Sequence, residues 1–380
     1  MTKRFHKSTE IIAKETATPL VVDGRLLEDI RGLIESAKSR FAQTANAVLV
    51  TLYWNVGKRI KTDILGNERA QYGREIVHAL SAKLTAEYGK GFSEKNLRRM
   101  IQFAEVFPDQ EIVVSLTRQL SWTHFVALIP MKDPLQREFY AEMCRVERWS
   151  VRALREKINS MLYERTAISR KPAQLAKQEL DSLRDCDLMT PDLVFRDPYL
   201  LDFLGLADTY SERDLESAIL KELERFLLEL GTDFSFVARQ KRITVDNEDY
   251  YLDLLFYHRG MRCLVAIELK LGKFQAADKG QMELYLRWLD KYEKREREEM
   301  PLGLILCADA SYEHVELLRL EEGGMYVAEY LTDLPPRRLL EAKLHEAIRM
   351  AREQIAVREG GMCQMLCEPL RPLRFNNKNK

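Results

Sequence analysis

The chain has 380 residues, 46% of them apolar and 31% charged, with 17 glycines and 12 prolines. That is enough to bury more than one core, and it excludes a collagen-like, largely disordered or disulfide-stapled chain. Basic and acidic residues balance at 59 each, yet residues 1–170 hold 28 basic against 20 acidic and residues 171–380 hold 31 against 39. A basic half suits a polyanionic partner, and an acidic half can supply cation ligands.

No apolar run reaches the ~18 residues of a membrane helix, and the opening MTKRFHKSTE lacks the apolar segment of a secretory signal. The six cysteines (Cys144, Cys186, Cys263, Cys307, Cys363 and Cys367) lack zinc-like paired spacing. The expectation is a soluble, cytoplasmic protein with reduced thiols.

In chain order, residues 1–20 read as a flexible arm. From Leu26 to about Ile64, apolar residues recur at helical spacing with no proline, which predicts one long helix or two end to end. A helix is expected at Arg74–Glu87, ended by Tyr88-Gly89-Lys90-Gly91. Ser93 then caps another, with Leu97, Met100, Ile101 and Ala104 inward and Lys95, Asn96, Arg98, Arg99 and Gln102 outward. This pair has the size of a helix-turn-helix, so Lys95, Asn96, Arg98 and Arg99 are candidate DNA contacts, against the plainer reading of a solvated face. Helices at Pro134–Arg145 and Ser150–Glu164 complete a helical N-terminal domain, residues 21–168. The stretch 169–189, polar and carrying Lys171-Pro172, reads as a linker.

The pattern changes after it. A helix at Ser211–Leu230 precedes three β-prone runs, Phe234–Val245, Tyr250–His258 and Arg262–Leu271. Then come a helix at Gln275–Tyr292, a strand at Leu302–Cys307, a helix at Tyr312–Leu320, a strand at Met325–Leu331 and a helix at Arg337–Val357. The order α-βββ-α-β-α-β-α predicts a mixed sheet flanked by helices over residues 190–360, followed by a loose tail, 361–380.

The chemistry concentrates in YYLDLLFYHRGMRCLVAIELK. Asp253 interrupts an apolar strand, and Glu268 and Lys270, two apart, share a face of the next one. A turn centred on Gly260 would pair residue 253 with residue 267, give or take one. Ionised groups in apolar strands are costly unless paired or bound to metal, and paired carboxylates with phosphate oxygens and waters suit Mg²⁺ or Mn²⁺. A lysine beside them can orient water or stabilise charge on phosphate. The plainer reading is a buried ion pair. On the preceding helix Glu216 aligns with Leu220, Leu223 and Leu227, offering a third carboxylate on a buried face. On the following helix Gln281 and Tyr285, four apart, face the same way as Leu284 and Trp288. Arg239, Lys241 and Arg242 form a basic strand that could track phosphates or simply protect a sheet edge. His78, His124, His258 and His314 have no metal spacing and read as structural.

The set E…D-x₁₄-E-x-K followed by Q-x-x-x-Y resembles the PD-(D/E)XK nuclease superfamily. The whole chain resembles YhcG-type nucleases, which join such a domain to an N-terminal helical one. The N-terminal likeness rests on Tyr72-Gly73, LSAKLTAEYGKGFSEKNLRRMIQF, LSWTHFVALI and WSVRALREKI. The C-terminal likeness rests on DPYLLDFLGL, YSERDLESAIL, YYLDLLFYHR, AIELKLGKF and the Gln281/Tyr285 pair. Leu252 stands where the family has a proline before the aspartate. The resemblance implies a restriction-endonuclease-like α/β domain and hydrolysis of DNA phosphodiesters, with RNA as an alternative substrate. It implies that Asp253 and Glu268 bind metal, Lys270 acts on water and Glu216 supports the site, with Gln281 and Tyr285 accessory. It also suggests defence against, or processing of, foreign DNA. The apolar stripe of the long first helix suggests a homodimer. The alternative is a catalytically idle DNA-binding or adaptor module acting through the helical domain in a larger complex.

Overall fold

The computed structural model describes residues 24–65, 70–206, 210–333 and 335–367. The arm expected at residues 1–20 and the tail beyond 367 lie outside the described residues, as do the side chains of Tyr72, His314, Cys363 and Cys367.

The first helix is continuous, α1 (Gly24–Leu65), and is followed by α2 (Ala70–Tyr88) and α3 (Glu94–Val106). Only the second half of α1 joins the core, through Val50, Trp54 and Ile60. The Trp54 indole donates to the Phe107 carbonyl at 2.7 Å, and the Asn46 amide donates to the Leu120 carbonyl at 3.0 Å. Gly57 is where α1 crosses α3: a Cβ there would lie 1.8 Å from the Met100 carbonyl oxygen, so no side chain fits. Leu97, Met100, Phe103 and Ala104 are the buried face of α3, while Ile101 is only half-buried. Ser93 is the residue before that helix, but its hydroxyl makes no capping bond.

Short helices α4 (Gln110–Leu116), α5 (Trp122–Leu128), α6 (Pro134–Val146), α7 (Val151–Asn159) and α8 (Leu162–Arg165) build the rest of the N-terminal part. The helix expected at Ser150–Glu164 breaks at Met161, whose φ is +53°. The stretch read as a linker is not an open connector: it holds α9 (Ala173–Cys186), which buries Ala176, Leu180 and Leu183 and packs on α6. The Arg184 guanidinium bonds Glu142 at 2.7 Å across that contact.

After α10 (Pro191–Val194) comes a mixed six-stranded sheet. Its strands are β1 (Tyr199–Leu200), β2 (Phe234–Val245), β3 (Glu248–His258), β4 (Cys263–Lys273), β5 (Leu302–Asp309) and β6 (Met325–Leu331), in spatial order β1-β6-β5-β4-β3-β2. β2, β3 and β4 are antiparallel neighbours; β4, β5, β6 and β1 run parallel. The flanking helices are α11 (Glu212–Lys221), α12 (Leu223–Leu230), α13 (Ala276–Tyr292), α14 (Tyr312–Leu317) and α15 (Arg337–Cys367). The expected element order therefore holds, with β1 as an unforeseen two-residue edge. The helix expected at Ser211–Leu230 is divided at Glu222.

One apolar cluster runs from Val50 and Trp54 through the N-terminal helices into one face of the sheet, at Leu254, Val265, Ile267 and Leu304. The opposite face packs Leu255, Leu264, Ala266 and Ile305 against Met282, Tyr285 and Leu286 of α13. A buried ionic knot joins the two parts: Arg165, fully buried, donates to Glu229 at 2.5 Å, and Arg196 lies 3.4 Å from the same carboxylate. Burial alone would raise the Glu229 pKa, but the two guanidiniums outweigh it and hold this carboxyl below its usual range.

Candidate active site

The site forms where β3 and β4 run past the end of α11. Leu254 pairs with Ile267, so the antiparallel register continued by one step sets Asp253 opposite Glu268. That is within the one-residue window given by the Gly260 turn. Directly opposed residues in an antiparallel pair share a face, and Lys270, two residues on, shares it as well.

Each side chain is held by identifiable partners. One Asp253 carboxylate oxygen (Oδ2) accepts from the Leu269 backbone N–H at 2.9 Å, and the other (Oδ1) accepts from the Gln240 amide at 3.0 Å. Glu268 Oε1 accepts from Lys270 Nζ at 3.1 Å and from the Gln281 amide at 3.0 Å. The same Gln281 amide donates to the Tyr285 hydroxyl at 2.7 Å, which in turn donates to the Tyr251 carbonyl at 3.3 Å. Gln281 therefore braces the glutamate, with Tyr285 behind it.

The second oxygen of Glu268 is the informative atom. Glu268 is only 5% exposed, and its Oε2 is buried without a hydrogen-bond partner. A buried acceptor left unpaired is costly. Desolvation first, then the charge of Asp253, push the Glu268 carboxyl up to about 7 despite Lys270. Burial raises Asp253 as well. Burial pulls Lys270 down, but Glu268 and further carboxylates outweigh that and raise it, so the ammonium keeps its proton.

Glu216 reaches this group, though not as the sequence suggested. The buried line of α11 and α12 is Leu215, Ile219, Phe226 and Leu230, so Glu216 sits half-buried at its margin. Its Oε2 accepts from the same Gln240 amide nitrogen at 3.0 Å. Burial and the Asp253 charge raise its pKa. Asp253, Glu268 and Glu216 all have raised pKa values, and the lysine pairs with Glu268, which leaves the site poorly compensated in charge, the environment a cation favours. Among the described residues, no three carboxylate, histidine or cysteine groups stand close enough together to hold a metal ion. The donors present fit one nonetheless: hard oxygens from Asp253 and Glu268, one of them orphaned.

Gln240 is the site residue that sequence reasoning missed. It lies on the edge strand β2 opposite Asp253, just past a register shift between Phe236 and Ala238, and its φ is +44°. That left-handed backbone is uncommon for a residue with a side chain and concentrates at functional positions. Glu212, one turn before Glu216, was also missed; it accepts from the Leu271 N–H at 3.3 Å.

The proposed phosphate contacts are unevenly placed. Arg239 is exposed on β2. Lys241 pairs with Glu293 at 2.7 Å and Arg242 with Asp249 at 2.8 Å. In the helical part, Lys95 is exposed and Arg99 half-buried. Asn96 donates to the Gly91 carbonyl at 3.2 Å, and Arg98 pairs with Glu94 at 2.6 Å. His124 is structural, bridging the Ser121 N–H and the Trp149 carbonyl. His258 is buried against Phe234, away from the carboxylates, and accepts from the Met261 N–H. No helix among the described residues is long and apolar enough to cross a membrane.

Two family models match the chain in succession. Residues 29–165 match the DUF1016 N-terminal domain, and residues 192–345 match the YhcG PDDEXK nuclease domain. The chain is 34% identical over 360 residues to the protein described as "Putative nuclease YhcG" of Escherichia coli (strain K12), covering 86% of this chain and 93% of that one. Among solved structures, a repair endonuclease from Pyrococcus abyssi shares 23% identity over 34% of this chain and 50% of its own, with a TM-score of 0.23. A structure of EndoMS with double-stranded DNA shares 18% over 34% and 48%, with a TM-score of 0.26.

Proposed function

Since the chain belongs to the YhcG family, a DUF1016 N-terminal domain ahead of a PDDEXK nuclease domain, we propose that it is a divalent-cation-dependent deoxyribonuclease that works as a homodimer. The observation that carries the reading is the orphaned Glu268 Oε2, buried opposite Asp253 with Lys270 alongside. Asp253 and Glu268 would hold Mg²⁺ or Mn²⁺, and the bound cation would supply positive charge against the scissile phosphate and favour ionisation of the attacking water. Lys270 places an ammonium where it can orient that water or steady a phosphate oxygen. The Gln240 amide on β2 holds Asp253 and ties it to Glu216 of α11, while Gln281, backed by Tyr285, holds Glu268 from α13. Arg239 is the nearest exposed cation on β2 for the backbone of a nucleic acid, with Lys95 and Arg99 as further contacts from the helical domain. Support for a part in defence against, or processing of, foreign DNA comes from the family resemblance alone.

The test is cleavage of supercoiled plasmid with Mg²⁺ or Mn²⁺ by the full chain, Asp253→Ala and Lys270→Ala, with an RNA substrate in parallel. Nicking or linearisation of plasmid by the unaltered chain alone supports the reading. Cation-dependent DNA binding without cutting by any of the three replaces it with a binding module. Cleavage of RNA alone replaces the substrate.

A further inference from the structure

The first half of α1 projects from the body: residues 28–38 and 40–45 are exposed all the way along wherever side chains are described. A helix of this length alone in water is marginal, because helices in proteins draw most of their stability from a packed apolar face. Yet this segment and the one after it carry a continuous apolar stripe in solvent, with Phe41 77% and Val48 65% exposed, alongside Ile30, Ile34 and Leu52. At 3.6 residues per turn the stripe lies on the side of α1 opposite Val50, Trp54 and Gly57, which meet the body. It is therefore a second face, which the described residues leave uncovered.

The order of the stripe identifies its occupant. Ile30, Ile34, Ala37, Phe41, Ala45, Val48 and Leu52 follow one another along that face with side chains in the order large, large, small, Phe, small, large, large, an order of sizes that reads the same in both directions about Phe41. We propose that α1 packs against α1 of a second copy in antiparallel order, about a two-fold axis at Phe41. In that arrangement Ile30 lies level with Leu52 of the second copy, Ile34 with its Val48, Ala37 with its Ala45, and Phe41 with its Phe41. A two-fold interface must be self-complementary, and a stripe symmetric about its own centre meets that condition without any other surface. The stripe repeats every 11 residues, so it runs nearly straight along the helix, extending ~35 Å at 1.5 Å per residue. This specifies the surface of the self-association proposed above and is independent of the cleavage chemistry.

The full chain and three variants, Ile34→Lys, Val48→Glu and the two combined, are compared by analytical ultracentrifugation, with far-ultraviolet circular dichroism to confirm that each folds. The expected result is a dimer for the unaltered chain, and a dissociation constant raised about 100-fold or more in each single variant, since each buries unpaired charge. The combined variant recovers most of that loss, because antiparallel order sets position 34 of one copy, now an ammonium, against position 48 of the other, now a carboxylate. A monomer at all concentrations overturns the proposal, as does a dimer indifferent to both single substitutions. Failure of the combined variant to recover overturns the antiparallel order, since parallel helices would set like charges together at both positions.

Discussion

Replacing Glu268 with glutamine should stabilise the cation-free protein, in a pH-dependent manner. The carboxyl is buried and raised to about 7, against about 4.3 in an unfolded chain. With the folded pKa above the unfolded one, the protonated acid is the form the fold prefers. Its stabilising contribution is complete below about pH 4 and is lost as the pH rises toward and through 7. At 1.36 kcal/mol per tenfold change in acidity, the ionised glutamate costs roughly 4 kcal/mol at pH 8.5. Glutamine mimics the protonated acid in shape and carries no charge. Chemical denaturation in EDTA should therefore show Glu268→Gln more stable than the unaltered chain by up to about 4 kcal/mol at pH 8.5, with the two converging near pH 4. The same substitution should abolish the stabilisation that added Mn²⁺ gives the unaltered chain. Equal stability at both pH values, or a loss at pH 8.5, would show that Glu268 is an ordinary partner of Lys270 and refute the uncompensated-site argument.

Gln240→Met keeps the side-chain length and removes the amide that links Glu216 to Asp253; cation affinity by calorimetry should fall about 10–100-fold, the usual consequence of losing a group that orients a ligand. Arg165→Met should cost about 3–5 kcal/mol in denaturant titration by leaving the Glu229 carboxylate with one poorly placed cation, Arg196, beside the Leu200 N–H. Because that knot lies between the helical and nuclease parts, the two should lose cooperativity together, while the Glu268 titration stays where it was.

Much of this was legible before the coordinates. The strands of the hairpin that carries Asp253 and Glu268 are long apolar runs around Gly260, so their pairing follows from the turn, and the charged residues stand out against them. Helix faces were read less well. Glu216 belongs to a plausible stripe with Leu220 and Leu223, but the true buried line through Leu215 and Ile219 runs one residue earlier, a rotation that periodicity in a short helix does not resolve. The supposed linker did carry a signal, Ala176, Leu180 and Leu183 at helical spacing, masked by its polar composition. Gln240 carried none. Its place depends on an irregularity in the edge strand and a left-handed backbone, and neither follows from the residues around it. β1 was hidden for a different reason: a two-residue strand that pairs only with distant β6 has no local pattern to read.

The most direct test of the central claim is to locate the cation. Crystals of the full chain grown without divalent metal and then soaked in Mn²⁺ should give an anomalous difference peak against Asp253 and Glu268, absent in Asp253→Asn. A fully occupied peak elsewhere, or none at a concentration that supports plasmid cleavage, would contradict the assignment of this pair as the metal site.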